Sequence, residues 1–294
     1  MKQIVMMANN VEMIKLFLHK LPTSFFHRFK LDLFVDTRIT DYKLIYNIVH
    51  NYSHNYSHNH ETANNISVID GVRIMNYYKQ RHNIDNELLN KYYFSMRFMI
   101  LWEYLAMNRL HDILMIDDDV LILNNNIEKL FDKDNFAMTD GFCRLDYRNE
   151  IQQGIFLNFC KIFDCNLSLN EYNLININSG IAHVVYNKTI YDYIYKFFTN
   201  EFFINEFEKM KDEKDIGVWK RSKLYFMDQY FVNFLFRKNT GEVYFNNKEI
   251  RMRLLQSKFK YFNQNSLKIK PDIIHYCCSS QDKMKYVDWL DKNI

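Results

Sequence analysis

The sequence predicts an α/β protein with a mainly parallel central sheet flanked by helices, and three observations carry that prediction. Apolar runs of strand length alternate with segments of helical length. One run, Ile113, Leu114, Met115 and Ile116, is continuously apolar, as a central strand buried on both faces requires. No Pro/Gly/Ser-rich linker divides the 294 residues, so one domain over 1–294, with a C-terminal extension, is the simplest organisation.

In chain order, the apolar run 3–7 reads as the first strand and 11–20 as the helix behind it. Residues 31–35 and 42–50 repeat the strand and helix pattern. The stretch HNYSHNYSHNHET, 50–62, is a polar near-repeat without apolar period and reads as an exposed loop. Its His50, His54, His58 and His60 offer adventitious metal binding at most, because an irregular loop does not preorganise a coordination shell. A strand at 66–69 precedes a helix at 86–108, apolar almost all round (Leu88, Leu89, Phe94, Met99, Trp102, Leu105) and therefore buried against the sheet. Arg97 interrupts that helix, either as an ion-paired or snorkelling arginine or as an anion clamp at the mouth of a site. Further strands fall at 112–116, 136–139, 181–185, 243–245 and 273–276, with helices at 189–209 and 227–237.

Composition narrows the class. At 48% hydrophobic and 25% charged, the chain can bury a large core, which argues against disorder. With 38 basic and 35 acidic residues, the net charge of +3 is too small and too evenly spread for wrapping a nucleic acid. Cys143, Cys160, Cys165, Cys277 and Cys278 form no CxxC pair, and an odd count fits a reducing compartment better than a disulfide framework. Asn9, Asn10 and Glu12 interrupt the N-terminal apolar stretch, and Arg97 and Glu103 interrupt the apolar region 92–107. Neither a signal peptide nor a membrane span is therefore expected, and a cytoplasmic location is. The Asn-, Ile- and Lys-rich composition points to an AT-rich genome, such as that of a virus or low-GC microbe; N-x-S/T matches such as Asn65-Ile66-Ser67 follow from the same bias.

The stretch ILMIDDDVLIL, 113–123, places three carboxylates at the end of the buried run. Side chains alternate along a strand, so Asp117 and Asp119 face one way and Asp118 the other. Two carboxylates on one side at a strand's carboxyl end, where open α/β sheets bind ligands, suit a hard divalent cation whose remaining positions a diphosphate fills. A calcium loop fails, because Leu121 and Ile122 stand where a ligand and a glycine are needed. A solvated turn or helix cap sits awkwardly with the apolar residues 120–123. A phosphohydrolase of the haloacid dehalogenase type, with Asp117 as nucleophile and Asp119 as acid/base, or a sugar nucleotidyltransferase, stays open as the rival enzyme class, and a binding protein with a relic site as the non-enzymatic one.

Taken with the preceding helix, the segment YFSMRFMILWEYLAMNRLHDILMIDDDVLIL resembles the GT-A-fold glycosyltransferases, in particular family 8, which use nucleotide sugars and a DxD motif. FAMTD (136–140), ININSGIAHVVYN (175–187), MDQYFVN (227–233) and IIHYC (273–277) follow in the family's order. The resemblance implies a Rossmann-like nucleotide-diphospho-sugar transferase that moves a hexose or related sugar from a UDP-sugar to a hydroxyl of a glycan, protein or lipid, with retention. It implies Mn²⁺ or Mg²⁺ held by Asp117, Asp119 and His275. Ala8, Asn9 and Asn10 then lie at the nucleotide base, Arg97 and Lys283 (or Lys285) at the diphosphate, and Asn178, Ser179 and Gly180 close to the sugar, with Asp118 joining the donor-binding group. Asp140 and Asp228 are expected to position sugar hydroxyls and Gln229 to lie near the anomeric carbon. One departure stands out: after His275 the chain reads YCCSSQDKMKYVDW, where the family has a glycine and then a lysine-proline pair.

Overall fold

The computed structural model describes residues 1–56, 65–84, 97–131, 137–141, 157, 160–161, 164, 176–201, 252–254 and 272–275. Within them the strands are β1 (Lys2–Met7), β2 (Phe29–Val35), β3 (Ile66–Asp70), β4 (Asp112–Asp117), β5 (Val120–Ile122), β6 (Ala137–Gly141), β7 (Asn176–Val185), β8 (Met252–Leu254) and β9 (Ile273–His275). The helices are α1 (Val11–Lys20), α2 (Tyr42–Tyr56), α3 (Gly71–Arg81), α4 (Arg97–Asn108) and α5 (Lys188–Phe198).

Among the described residues the central sheet runs β3-β2-β1-β4-β7-β6, and a smaller sheet runs β5-β9-β8. β3, β2, β1 and β4 are mutually parallel, as the alternation of strands and helices requires, while β7 is antiparallel to both β4 and β6. On one face Ile4, Met6, Leu31, Leu33, Leu114 and Ile116 pack with Met13 and Phe17 of α1 and Ile45 and Val49 of α2. The alternate side chains of β2 face α4, where the Phe34 ring meets Tyr104 edge-on, 4.9 Å between centroids. Helix α4 buries Met99, Leu101, Trp102 and Leu105, which accounts for its apolar circumference.

Local chemistry sets the boundaries. Asn10 caps α1, its Oδ1 accepting from the amides of Glu12 and Met13 at 3.2 Å each, and His19 and Lys20 close the last turn against the helix dipole. Asp70 caps α3 and Asn187 caps α5 in the same way. Helix α5 stops at Phe198, and the next amide, of Thr199, turns back to the Tyr195 carbonyl at 3.0 Å.

Several expectations are corrected. The polar near-repeat is not a loop from residue 50 onward: α2 continues to Tyr56, with Ile45, Val49 and Ser53 buried at helical spacing and His50 and Asn51 exposed. Helix α3 was not expected, yet Ile74, Met75 and Tyr78 supply a buried stripe behind the Asp70 cap. β5 and β8 were also missed, each three residues long. The predicted helix at 227–237, the strand at 243–245, and residues 57–62, 86–96 and 202–209 of the other predicted segments lie outside the described residues.

Two polar contacts pin the helices on the α4 face. The Glu103 carboxylate, fully buried, accepts from Arg81 Nη1 at 3.0 Å and from the Tyr191 hydroxyl at 2.6 Å, tying α3, α4 and α5 together. The Tyr104 hydroxyl donates to Asp32 Oδ2, and burial pushes the Asp32 carboxyl above its ordinary 3.8. A carboxyl whose native value is raised binds its proton more tightly folded than unfolded, so stability declines as pH rises from 3.8 through the native value and stays at the lower level above it. Asp32→Asn keeps an acceptor for Tyr104 and removes the buried charge. It is expected to abolish that decline and leave the neutral-pH melting temperature equal to or above the parent's, as thermal melts from acid to neutral pH will read.

Candidate metal and nucleotide site

The carboxyl ends of β1, β2 and β4 meet at one edge of the sheet, since Met7 pairs with both Phe34 and Asp117. Here the three aspartates part company. Asp117, the last residue of β4, accepts from Arg97 Nη1 at 2.8 Å, so the arginine that interrupts the apolar helix is ion-paired and buried at the start of α4. Asp118 turns to the other side, where its Oδ2 accepts from the amides of Asn9 at 3.0 Å and Asn10 at 2.7 Å. Asp119 is buried, with His275 Nε2 3.2 Å from its Oδ1.

His275 arrives from the second sheet. β9 pairs antiparallel with β5 so that Val120 sits opposite His275, which sets the imidazole beside Asp119. Asp272, fully buried, fixes the start of β9: its carbonyl accepts from the Leu123 amide at 2.9 Å, and its Oδ1 accepts from Asn124 Nδ2 and, at 3.1 Å, from Asn126 Nδ2. Asp117, Asp119 and His275 each offer one ligand atom, and these atoms lie within 4.8 Å of one another. Two carboxylate oxygens and an imidazole nitrogen, two of the three residues buried, form a donor set suited to Mn²⁺ or Mg²⁺.

The turn after β1 is equally constrained. Ala8 extends the ladder through its amide to the Phe34 carbonyl at 2.8 Å. Asn9 Oδ1 accepts from the Asp36 amide at 3.1 Å, and Thr40 Oγ1 donates to the Asn9 carbonyl at 3.2 Å. Asp36 is buried and gripped at both carboxylate oxygens by Arg38, Nε and Nη2 each at 2.7 Å. Asn9 Nδ2 is a buried donor with no hydrogen-bond partner among the described residues.

β7 brings the Asn178-Ser179-Gly180 backbone to the same edge, because Ile181 pairs with Ile116, the residue before Asp117. The pairing of β6 with β7 slips between Met138 and Thr139, passing from Ala182 to Asn178, so the Ser179 and Gly180 backbone lies within the irregularity. Asp140 lies near the carboxyl end of β6, opposite Ile177. Asp228, Gln229 and Lys283 lie outside the described residues.

Sequence reasoning missed the Asp272 network and the Asp36–Arg38 fork. The first had a signal in the acidic residue immediately before IIH, and the second in the aspartate that ends the FV run of β2. Removing the Asp272 carboxylate leaves Asn124 and Asn126 without their common acceptor at a buried strand start. Asp272→Ala is expected to destabilise the chain by about 2 kcal/mol, measured as a lowered urea midpoint with an unchanged slope.

No family model matches the sequence, and no curated protein matches it in sequence. Solved structures match in shape. An active-site mutant of the galactosyltransferase LgtC is similar with a TM-score of 0.50 at 13% identity, over 99% of this chain and 95% of that one. The apo form of mouse xyloside xylosyltransferase 1 gives a TM-score of 0.47 at 10% identity, over 94% and 97%. A glycosyltransferase involved in glycosylation of the major capsid of PBCV-1 gives 0.42 at 10%, over 98% of each. The sheet order and the likeness to LgtC establish the architecture: the chain has the GT-A, Rossmann-like fold of nucleotide-diphospho-sugar transferases.

Proposed function

We propose that the protein is a metal-dependent glycosyltransferase of the family 8 type. It transfers a hexose or related sugar from a UDP-sugar to a hydroxyl of a glycan, protein or lipid acceptor, with retention at the anomeric carbon, within a single domain located in the cytoplasm. The observation that carries this reading is the convergence of Asp117, Asp119 and His275 at the carboxyl edge of a GT-A sheet. Among the described residues no helix is long and apolar enough to cross a membrane.

In this reading Asp117, Asp119 and His275 would hold Mn²⁺ or Mg²⁺, which would supply Lewis-acid stabilisation to a departing diphosphate. Arg97 offsets the charge of Asp117, so the ligand set under-neutralises a dication and the site keeps positive potential toward the diphosphate. Lys283 adds a second cation on the leaving-group side. Ala8, Asn9 and Asn10 line the nucleotide base, and the unpartnered Asn9 Nδ2 presents a donor to a carbonyl acceptor there. The backbone at Asn178, Ser179 and Gly180 admits the sugar, Asp140 and Asp228 orient its hydroxyls, and Gln229 stands near the anomeric carbon. The acceptor oxygen bonds to the anomeric carbon as the bond to the diphosphate oxygen breaks, and the nucleotide diphosphate leaves with the acceptor's proton.

A panel of nucleotide sugars with Mn²⁺ tests the reading: slow release of UDP that stops with chelator is expected, whereas release of inorganic phosphate identifies a phosphohydrolase instead. NMR of the product anomer checks retention, and an inverted product refutes that part. Asp119→Ala is expected to lower metal-dependent turnover by at least about a hundredfold while the circular dichroism spectrum stays native. Undiminished turnover in that variant removes Asp119 from the metal set.

A further inference from the structure

In the doubly wound folds that bind dinucleotides, the amides opening the first helix after β1 hold the diphosphate. In this chain the chain's own acceptors occupy that place. Asp118 Oδ2 takes the Asn9 and Asn10 amides, and Asn10 Oδ1 takes those of Glu12 and Met13. A carboxylate at the positive end of α1 does what a phosphate does there, and it does so from between Asp117 and Asp119.

We infer that Asp118 is a positioning residue: it acts as an internal anion for the α1 N-terminus, fastening the β1–α1 turn to the Asp117–Asp119 loop so that nucleotide pocket and cation site form one rigid unit. The geometry gives that fastening a purpose. Asn9, whose amide Asp118 holds, carries the buried unpartnered Nδ2, and its Oδ1 and carbonyl are held by Asp36 and Thr40. The turn is thus gripped from β2 on one side and from the aspartate triplet on the other. Release of the second grip leaves the Asn9 side chain unfixed relative to the cation ligands, and a nucleotide diphosphate that must reach both loses affinity. The inference rests on the proposed nucleotide-sugar function.

The test compares Asp118→Ala and Asp118→Asn with the parent 294-residue chain by three measurements. These are backbone amide exchange at Asn9 and Asn10, Mn²⁺ affinity by electron paramagnetic resonance, and UDP affinity in saturating Mn²⁺ by calorimetry. Asp118→Ala is expected to lose protection at both amides and to bind UDP about tenfold more weakly, with Mn²⁺ affinity within roughly threefold of the parent's. Asp118→Asn retains an oxygen acceptor and is expected to restore amide protection and to bring UDP affinity within about threefold of the parent's. A purely stabilising contact would lower the melting temperature without moving UDP affinity below the transition. Unchanged UDP affinity in folded Asp118→Ala therefore overturns the proposal. Should the alanine variant not fold, Asp118→Asn decides: protected amides with a tenfold loss of UDP affinity would mean that the charge touches the ligand directly, which also overturns it. A parent chain that takes up neither Mn²⁺ nor UDP defeats the functional reading instead, and amide exchange alone then confirms or refutes the fastening.

Discussion

Three carboxylates on consecutive residues at the end of a buried strand repel one another, and the rest of the site is arranged around relieving that repulsion. Each finds a partner of different kind in a different direction. Asp117 meets a guanidinium from the helix before the strand, Asp118 meets peptide amides from the first turn of the chain, and Asp119 meets an imidazole from the second sheet. In a partly buried setting a lone carboxylate is costly, so these partners are conditions for the strand to end this way at all. The compensation is incomplete by design of charge: one guanidinium stands against two inward-facing carboxylates, which leaves negative potential where a cation would sit.

Much of this was legible in the sequence because it obeys periodicity. The continuous apolar run of β4, the helical spacing of α1 and the opposed directions of successive strand residues are local properties, and local properties survive folding. The separation of Asp118 from its neighbours was expected from strand alternation, but β4 ends at Asp117 and Asp118 and Asp119 lie in the turn before β5, so the turn and not the strand period sets their directions. The histidine was reached by resemblance rather than spacing, and nothing local to IIH reveals that Val120 will lie opposite His275.

What stayed hidden was short or nonlocal. A three-residue strand such as β5 carries too little pattern to be told from the tail of an apolar run, and its partner lies at the other end of the chain. Asp36, Thr40 and Asp272 are polar residues at element ends, where sequence cannot distinguish a solvated turn from a buried network. Helix α2 misled for the converse reason: the buried row Ile45, Val49, Ser53 enters the polar near-repeat on a serine, where hydrophobicity gives no signal that the helix continues.

The reliance of Asp119 on a strand from the C-terminal part of the chain carries a consequence for biosynthesis. β4 and its aspartates leave the ribosome long before β9, and pairing across so wide a loop is entropically slow. The nascent sheet therefore passes through a period in which the acidic triplet is present without its imidazole. On the proposed function, the three ligands come together only once β9 docks, which makes competence for a divalent cation a late marker of correct folding.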